Sequence, residues 1–440
     1  PANAAAIDAP GLDETQAQAA AAIAGTDALV LVVGPAGAGK TTMLAAAVRG
    51  LRAQGRPVLG LAPSGKGADV LAREAGLPAV TVAKLLANSD RSEQLAPAGT
   101  TVVLDEAGMA STEDLDRLVA LAQHRRWRLV CVGDPHQLPA VGRGGMFAYW
   151  CDTLPARRLE EVRRFAEAWE AEASLLLRAG DRRGVEAYAA RRRLSATHPA
   201  LIADRVARQY TALAAKGNAV AVTTATAATA REINQAIQHR QGNWRRGHSM
   251  RLRDGTEVWV GDRVATRRND PTLATAAGSQ VRNRQLWAVT AVGADGTLKV
   301  RDPDRGTVTL PAAYVARHVE LGWAVTGYGN QGVTVDCGIC VVEPSTSRAG
   351  LYVGMTRGRQ RNAAWVIDTT GNEDPTETLT SIIQGSAGAE TAHAVRDRLH
   401  GHEVVDLAPE VQRMRDRLDE LERRPARHRG PSRPSEVRVR

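Results

Sequence analysis

The chain has 440 residues, 43% apolar and 24% charged, with 41 glycines and 20 prolines, a mix that describes a globular protein of two or more domains. Its 57 basic residues exceed its 48 acidic ones by nine, which permits a polyanionic partner without naming one, and they divide into 52 Arg and only five Lys. No apolar run is long enough for membrane insertion, the opening PANAAAIDAPG lacks the basic start, apolar core and cleavage pattern of a signal peptide, and four cysteines (Cys131, Cys151, Cys337 and Cys340) fit a reducing, cytoplasmic setting better than a disulfide framework.

In chain order, residues 1–11 read as a flexible N-terminus. LDETQAQAAAAIAG then reads as an Ala-rich helix, followed by the apolar strand ALVLVV. That strand runs into Gly34, Pro35, Ala36, Gly37, Ala38, Gly39, Lys40 and Thr41, which match GxxxxGK[ST] and open onto a second helix, TMLAAAVRGLRAQG. Glycines let such a loop curl so that successive amides face a phosphate, and the helix N-terminus adds positive potential. Lys40 would reach the β- and γ-phosphates of ATP, the Thr41 hydroxyl would hold Mg2+, and Thr42 continues the phosphate-binding turn.

The strand TTVVL ends at Asp105 and Glu106 in DEAGM, placing one carboxylate to hold the Mg2+ shell and its neighbour to polarise an attacking water. The strand RLVCVG ends in GDPHQLPAV, where Gln137 can sit near the γ-phosphate. Further on, DRRGVEAYAARRRL reads as a solvated, Arg-laced helix. Short alternating strands follow in TEVWVGDRVAT, QLWAVTAVGADGTLKV and GTVTLPAAYV, the pattern of a small β-barrel. Cys337 and Cys340 form a CxxC inside DCGICVV, which reads as a strand carrying a buried, inert pair. After AAWVIDTT comes a Pro-, Gly- and charge-rich tail with one candidate helix, Leu407 to Arg424, and an end expected to be disordered.

The ordered series GPAGAGKT, LAPSGKGADVL, VVLDEAGM, VGDPHQLPAV, TGYGNQGVTVD and LYVGMTRGR resembles the helicase motifs of superfamily 1, in its RecD-like branch. EVRRFAEAWE, TTATAATAREINQAI and YVGMTRGRQRN narrow the likeness to the helicase half of conjugative relaxases of the TraI, TrwC and TraA kind, over residues 12–368.

The resemblance implies two RecA-like parallel-sheet P-loop motor domains with a small SH3-like β-barrel inserted in the second. The first would span residues 12–150, and the second 151–239 and 318–370 around a barrel at 240–317, before a tail at 371–440. It implies that Gln16 reads the adenine, that Gln137 couples nucleotide to DNA, and that Arg164 and Arg357 reach the γ-phosphate from across the cleft, with Arg163 the alternative to Arg164. Ser64, Gly65 and Lys66, then Thr81 and Lys84, Thr223, Thr224 and Thr226, and Gln331, Gly332 and Thr334 would grip a DNA strand through phosphates. Trp259, Trp287, Trp323 and Tyr328 are the candidate stacking aromatics, and TRRNDPTLATAAGSQVRNRQ either touches DNA or is a mobile loop.

Two departures stand out. Tyr328 and Gly329 replace a His-Lys or similar pair, and Ala83 stands where His is frequent. LANSDRSEQLAPAG also leaves little room for a strand-splitting wedge, so translocation is better supported than unwinding. The implied activity is ATP-dependent movement 5′ to 3′ along single-stranded DNA and at DNA junctions, alongside a nicking domain or conjugation proteins.

Overall fold

The computed structural model describes residues 11–88, 92–242, 247–369 and 374–385. Short, continuous apolar runs become strands buried on both faces, as parallel sheets covered by helices require. The first six are β1 (Leu29–Val33), β2 (Val58–Ala62), β3 (Ala79–Thr81), β4 (Thr101–Leu104), β5 (Arg128–Gly133) and β6 (Ala156–Arg158). They form one sheet in the order β3-β2-β4-β5-β1-β6, and every pairing in it is parallel.

Alternate residues of β1 serve the two faces. Val30 and Val32 pack with Met43, Leu44 and Val48, whereas Leu31 and Val33 pack with Leu104, Leu118 and Phe147. Helix α1 (Glu14–Ala24) starts at a capping box in which Asp13 and Gln16 satisfy each other's backbone N–H groups. Helices α2 (Lys40–Ala53) and α3 (Gly65–Ala75) follow β1 and β2. The sixth strand lies beyond residue 150, where the sequence pattern ended the first domain. ARR carries no apolar alternation, and only its pairing with β1 makes it a strand.

The segment DRRGVEAYAARRRL, read as a helix, is helical only over Arg182–Ala190 and runs into β7 (Leu194–Thr197), an edge strand, and β8 (Val220–Thr224) follows. The next strands are β9 (Met250–Arg251), β10 (Glu257–Val258), β11 (Arg263–Thr266), β12 (Asp270–Ala274), β13 (Gln280–Val281), β14 (Leu286–Val292), β15 (Leu298–Asp302), β16 (Gly306–Leu310) and β17 (Val319–Leu321). Five of them make an antiparallel sheet in the order β16-β15-β14-β11-β17, while β9 pairs with β10 and β12 with β13. The AAYV segment, read as the end of a strand, begins the helix Ala312–His318 instead.

The chain then returns through β18 (Ala324–Thr326), β19 (Val335–Val342) and β20 (Gly358–Ile367) to a second parallel sheet, β18-β8-β19-β20-β7. Trp287 and Trp323 are buried in a core shared by the antiparallel strands and the second sheet, which removes both from the candidate stacking groups. Among the described residues no helix is long and apolar enough to cross a membrane. The tail opens with a described helix, Pro375–Gln384, whereas the candidate helix Leu407 to Arg424 lies outside the described residues.

The CxxC is divided by the pleat. Cys337 faces one core with Ile339, and Cys340 faces the opposite one with Val342. All four cysteines are free and buried, and burial pushes every thiol up. A thiol reagent at about pH 8 should therefore leave the folded protein unlabelled and react fully only in denaturant. Labelling of the native protein at the unfolded rate would contradict this burial.

Candidate active site

Chemistry-bearing residues gather beyond the carboxyl ends of the parallel strands, as the topology of such sheets dictates. Behind β1 the loop turns through Gly37 at φ 86° and Gly39 at φ 69°, left-handed positions that favour glycine. A Cβ on Gly37 would also strike the Cβ of Arg164, and one on Gly39 would strike Nε2 of Gln16. Gly39 precedes α2 without a side-chain cap, so the first-turn amides are left for a ligand. Lys40 Nζ donates to the carbonyls of Gly34 at 2.8 Å and Pro35 at 3.2 Å. Gln16 is buried; its Nε2 donates to the Ala38 carbonyl at 2.9 Å and its Oε1 accepts from Asp13 N at 3.1 Å, which leaves one N–H of the amide uncommitted.

Asp105 and Glu106 follow β4. Glu106 adopts φ 53°, a left-handed conformation that costs a non-glycine residue about 1 kcal/mol or more, and its N–H donates to Asp105 Oδ1 at 2.9 Å. Burial, then the neighbouring Glu106, pushes the Asp105 carboxyl up to about 7, with Lys40 opposing. Gln331 Nε2 stands 3.5 Å from Glu106 Oε2, a weak contact that nonetheless brings a residue expected on DNA against the expected hydrolytic carboxylate.

One cleft of about 800 Å3 is lined by residues 36–42, Asp105, Glu106, Gln137, Arg164 and Arg357, with Lys66 and Gly332–Thr334 at its walls. Gly34 and Pro35 sit behind it, where Gly34 N bonds the Gly133 carbonyl. Arg164 donates to the Thr356 carbonyl at 2.6 Å. Arg163 instead pairs with Asp13 and Glu161 near the cleft edge. Arg357 is 1% exposed and donates to the carbonyls of Val353, Asn330 and Val333 and to the Thr356 hydroxyl. Burial, then Arg164, pushes Arg357 down to about 9, with Glu106 opposing. The Ala36 amide donates to the Tyr352 hydroxyl at 2.9 Å, so the P-loop itself touches the segment that carries Arg357.

Sequence reasoning missed Arg178, one arginine among 52, on the helix Ala168–Ala179. Its Nε and Nη2 donate to Oδ1 of the buried Asp134 at 3.0 and 2.8 Å. Oδ2 of the same carboxylate lies 3.4 Å from Gln137 Nε2. Arg178 is in turn held through its carbonyl by Arg348 at 2.6 Å.

The expected strand-contacting residues divide. Ser64 caps α3 by accepting from Gly67 N at 3.0 Å, and Gly65 and Lys66 begin that helix. Lys66 is pushed down to about 8 by burial, then by Arg305, Arg263 and Arg357. Thr81 accepts from Lys84 N at 3.1 Å at the end of β3, and Lys84 is exposed. Tyr328, Gln331 and Gly332 share a second cavity with Ser64 and Lys66. Thr334 faces the larger cleft instead. Thr223 and Thr224 are buried, with their hydroxyls bonded to Asn330 and Thr226, so the structure does not bring them to the cavity. Thr226 caps its helix and donates to Glu343 at 2.8 Å.

Together the loop, the carboxylates and the facing arginines define a P-loop nucleotide site between two parallel sheets, and residues 11–199 match the family model described as an AAA domain. Over 79% of its length the chain is 30% identical to the conjugal transfer protein TraA of Agrobacterium fabrum, and over 80% it is 30% identical to the ATP-dependent RecD2 DNA helicase of Deinococcus radiodurans. The chain spans 32% of that TraA and 48% of that RecD2. Pif1 from Bacteroides, solved bound to single-stranded DNA, shares the fold with a TM-score of 0.56 at 17% identity, covering 89% of this chain and 97% of its own. The motif-based resemblance to RecD-like superfamily 1 helicases and to the helicase region of conjugative relaxases is borne out. The chain is thus similar in sequence to those TraA and RecD2 proteins over about four-fifths of its length, and it shares its fold with Pif1.

Arg178→Ala leaves the Asp134 carboxylate buried and uncompensated, and should cost about 3 kcal/mol of stability in denaturant unfolding. Adding Asp134→Asn should recover most of that loss. Additive losses in the double variant would show that the pair is not coupled.

Proposed function

We propose that the chain is an ATP-hydrolysing motor that moves 5′ to 3′ on single-stranded DNA, the helicase part of a conjugative relaxase or plasmid-transfer system in the cytoplasm. The observation that carries this reading is the single cleft holding residues 36–42, Asp105, Glu106, Arg164 and Arg357. Residues 12–150 with the β6 strand would be the first RecA-like motor domain. The second would be divided by the antiparallel strands, which we read as an SH3-like insert. Junction DNA, a nicking domain and conjugation proteins are the proposed partners, and the similarity to the conjugal transfer protein TraA supports the last of these.

In the proposed mechanism Lys40 and the α2 amides bind the phosphates of ATP, with Gln16 at the adenine end. Glu106 takes a proton from water as the water oxygen bonds to the γ-phosphorus, and the bond from that phosphorus to the β,γ-bridging oxygen breaks, yielding ADP and phosphate. Arg164 and Arg357 offset the charge that develops. Thr41 and Asp105 offer a hydroxyl and a carboxylate in the same cleft, a hard-oxygen pair suited to Mg2+, and a carboxyl destabilised by burial and by Glu106 fits a cation. When bound, Mg2+ would neutralise phosphate charge. Gln137 and Gln331 would relay strand contact to the site, and closure of the two domains on ATP would convert turnover into steps.

ATP turnover should rise on adding single-stranded DNA. Lys40→Ala should abolish it, and Glu106→Gln should lower kcat by about 100-fold or more while ATP still binds. DNA-stimulated turnover in Lys40→Ala equal to wild type would refute the site. Strand displacement on a 5′-tailed duplex tests the motor, and stimulated turnover with neither displacement nor translocation would leave an ATPase-gated strand-binding module.

Asp105 also sets a pH dependence. A carboxyl raised in the folded state holds its proton there longer than in the unfolded chain. Its contribution to stability is thus present below the ordinary value of 3.8 and is lost as pH rises toward about 7. Mg2+ needs the ionised form, so apparent Mg2+ affinity for the protein should climb with pH and level off above about 7. Asp105→Asn should flatten that profile, and an unchanged profile would remove Asp105 from the metal site.

A further inference from the structure

Beside the nucleotide cleft lies a cavity of about 100 Å3, bounded by Pro63, Ser64 and Met109 on one wall and by Arg284, Tyr328 and Gln331 on the other. Arg284 belongs to the basic segment that follows β13, and its backbone is held at φ 63°, a left-handed conformation unusual for arginine. Its Nη1 donates to the Tyr328 carbonyl at 3.3 Å, and its Cζ lies 5.5 Å from the Tyr328 ring centroid. Its Nε is buried with no hydrogen-bond partner among the described residues, and neither has Gln331 Oε1 on the same wall. Leaving such groups unpaired is costly, so two of them facing one cavity call for a partner that the described residues do not supply.

The segment is anchored on both sides. Arg282 pairs with Asp69 of α3 at 3.3 Å and lies over Gly65, where an added Cβ would come within 3.1 Å of Arg282 Cδ. Arg284 N donates to the Thr266 carbonyl at 2.6 Å. Tyr328 is fixed from the opposite direction, because its hydroxyl donates to the Pro139 carbonyl at 3.1 Å. A guanidinium with a free donor and a held aromatic face therefore share one cavity with Ser64 and Lys66. Arg282, committed to Asp69, is not equivalent to Arg284.

We propose that Arg284 and Tyr328 form a nucleotide subsite for single-stranded DNA, in which one base stacks on the Tyr328 ring and Arg284 turns from that ring to the adjoining phosphate. This rests on the strand-binding reading above. The chemistry is that of sequence-independent strand binding, an aromatic platform beside a cation.

The test is anisotropy of a labelled oligothymidylate with the full chain over a series of salt concentrations. Arg284→Gln should weaken binding and reduce the slope of log K against log salt by about 0.7, the share of one phosphate contact on a single strand, whereas Arg284→Lys should keep the slope. Tyr328→Leu should weaken binding by about 5- to 150-fold with no change of slope, and should bind an abasic oligomer as wild type does. An unchanged slope in Arg284→Gln, or an equal loss on abasic DNA in Tyr328→Leu, overturns the subsite while leaving strand binding intact. Wild-type protein that binds no single-stranded DNA overturns the functional reading and the subsite with it.

Discussion

Arg164 lies where a side chain on residue 37 would have to be, and its guanidinium donates to the Thr356 carbonyl. That one packing constraint joins the phosphate loop, the segment after β6 and the chain just before Arg357. Because residue 37 is glycine the arginine can rest on the loop, and because the Ala36 amide meets the Tyr352 hydroxyl the loop's shape and the approach of the second sheet are set together. The arrangement also gathers cations. Burial and then Arg164 lower Arg357, burial and then Arg305, Arg263 and Arg357 lower Lys66, and Lys40 turns to loop carbonyls. The carboxyls of Asp105 and Glu106 are set among them, and burial and then the neighbouring Glu106 oppose ionisation of Asp105. A polyphosphate entering this cleft would relieve the repulsion among the cations, which is why closure and anion binding are expected to reinforce one another.

The parts of the site legible in the sequence were those whose chemistry is local. GPAGAGKT carries its own glycines and lysine, and the carboxylates of DEAGM follow a run of apolar residues that could only be a buried strand. The parts that were not legible owe their roles to distant partners. ARR becomes β6 because β1 needs a neighbour, and LSAT becomes β7 because β20 does. ARR has no alternation to announce it, and the two apolar residues of LSAT are too few to stand out. Arg178 is one arginine among 52 until Asp134 is placed beside it. Thr223 and Thr224 looked like phosphate-gripping hydroxyls, but VAVTT is a central strand of the second sheet, so its threonines turn inward to Asn330 and to the backbone.

Net charge was a poor guide for a related reason. Residues 411–440 hold ten Arg and five acidic residues, a surplus of five out of nine, which leaves only four for the 410 residues before them. A nearly neutral body must concentrate whatever holds a polyanion. The few lysines follow that logic, since Lys40 closes the phosphate loop and Lys66 stands between the cleft and the neighbouring cavity. Local placement, rather than total charge, is what separates a binding channel from an ordinary basic protein.

The two candidate sites share one short turn. Tyr328 reaches across to the Pro139 carbonyl, in the segment that also holds Gln137, Asp134 and through it Arg178, while Gln331 reaches Glu106. A strand seated against Tyr328 would press on residues 327–331 and so on two carboxylates of the first sheet at once. Glu106 sits on a strained backbone and holds Gln331 only weakly, so a small shift there is inexpensive, whereas the buried Asp134 is locked by Arg178 and resists. Strand binding would thus be felt mainly as a reorientation of Glu106 about a fixed Asp134. That is the physical form in which a DNA contact could control hydrolysis without touching the nucleotide.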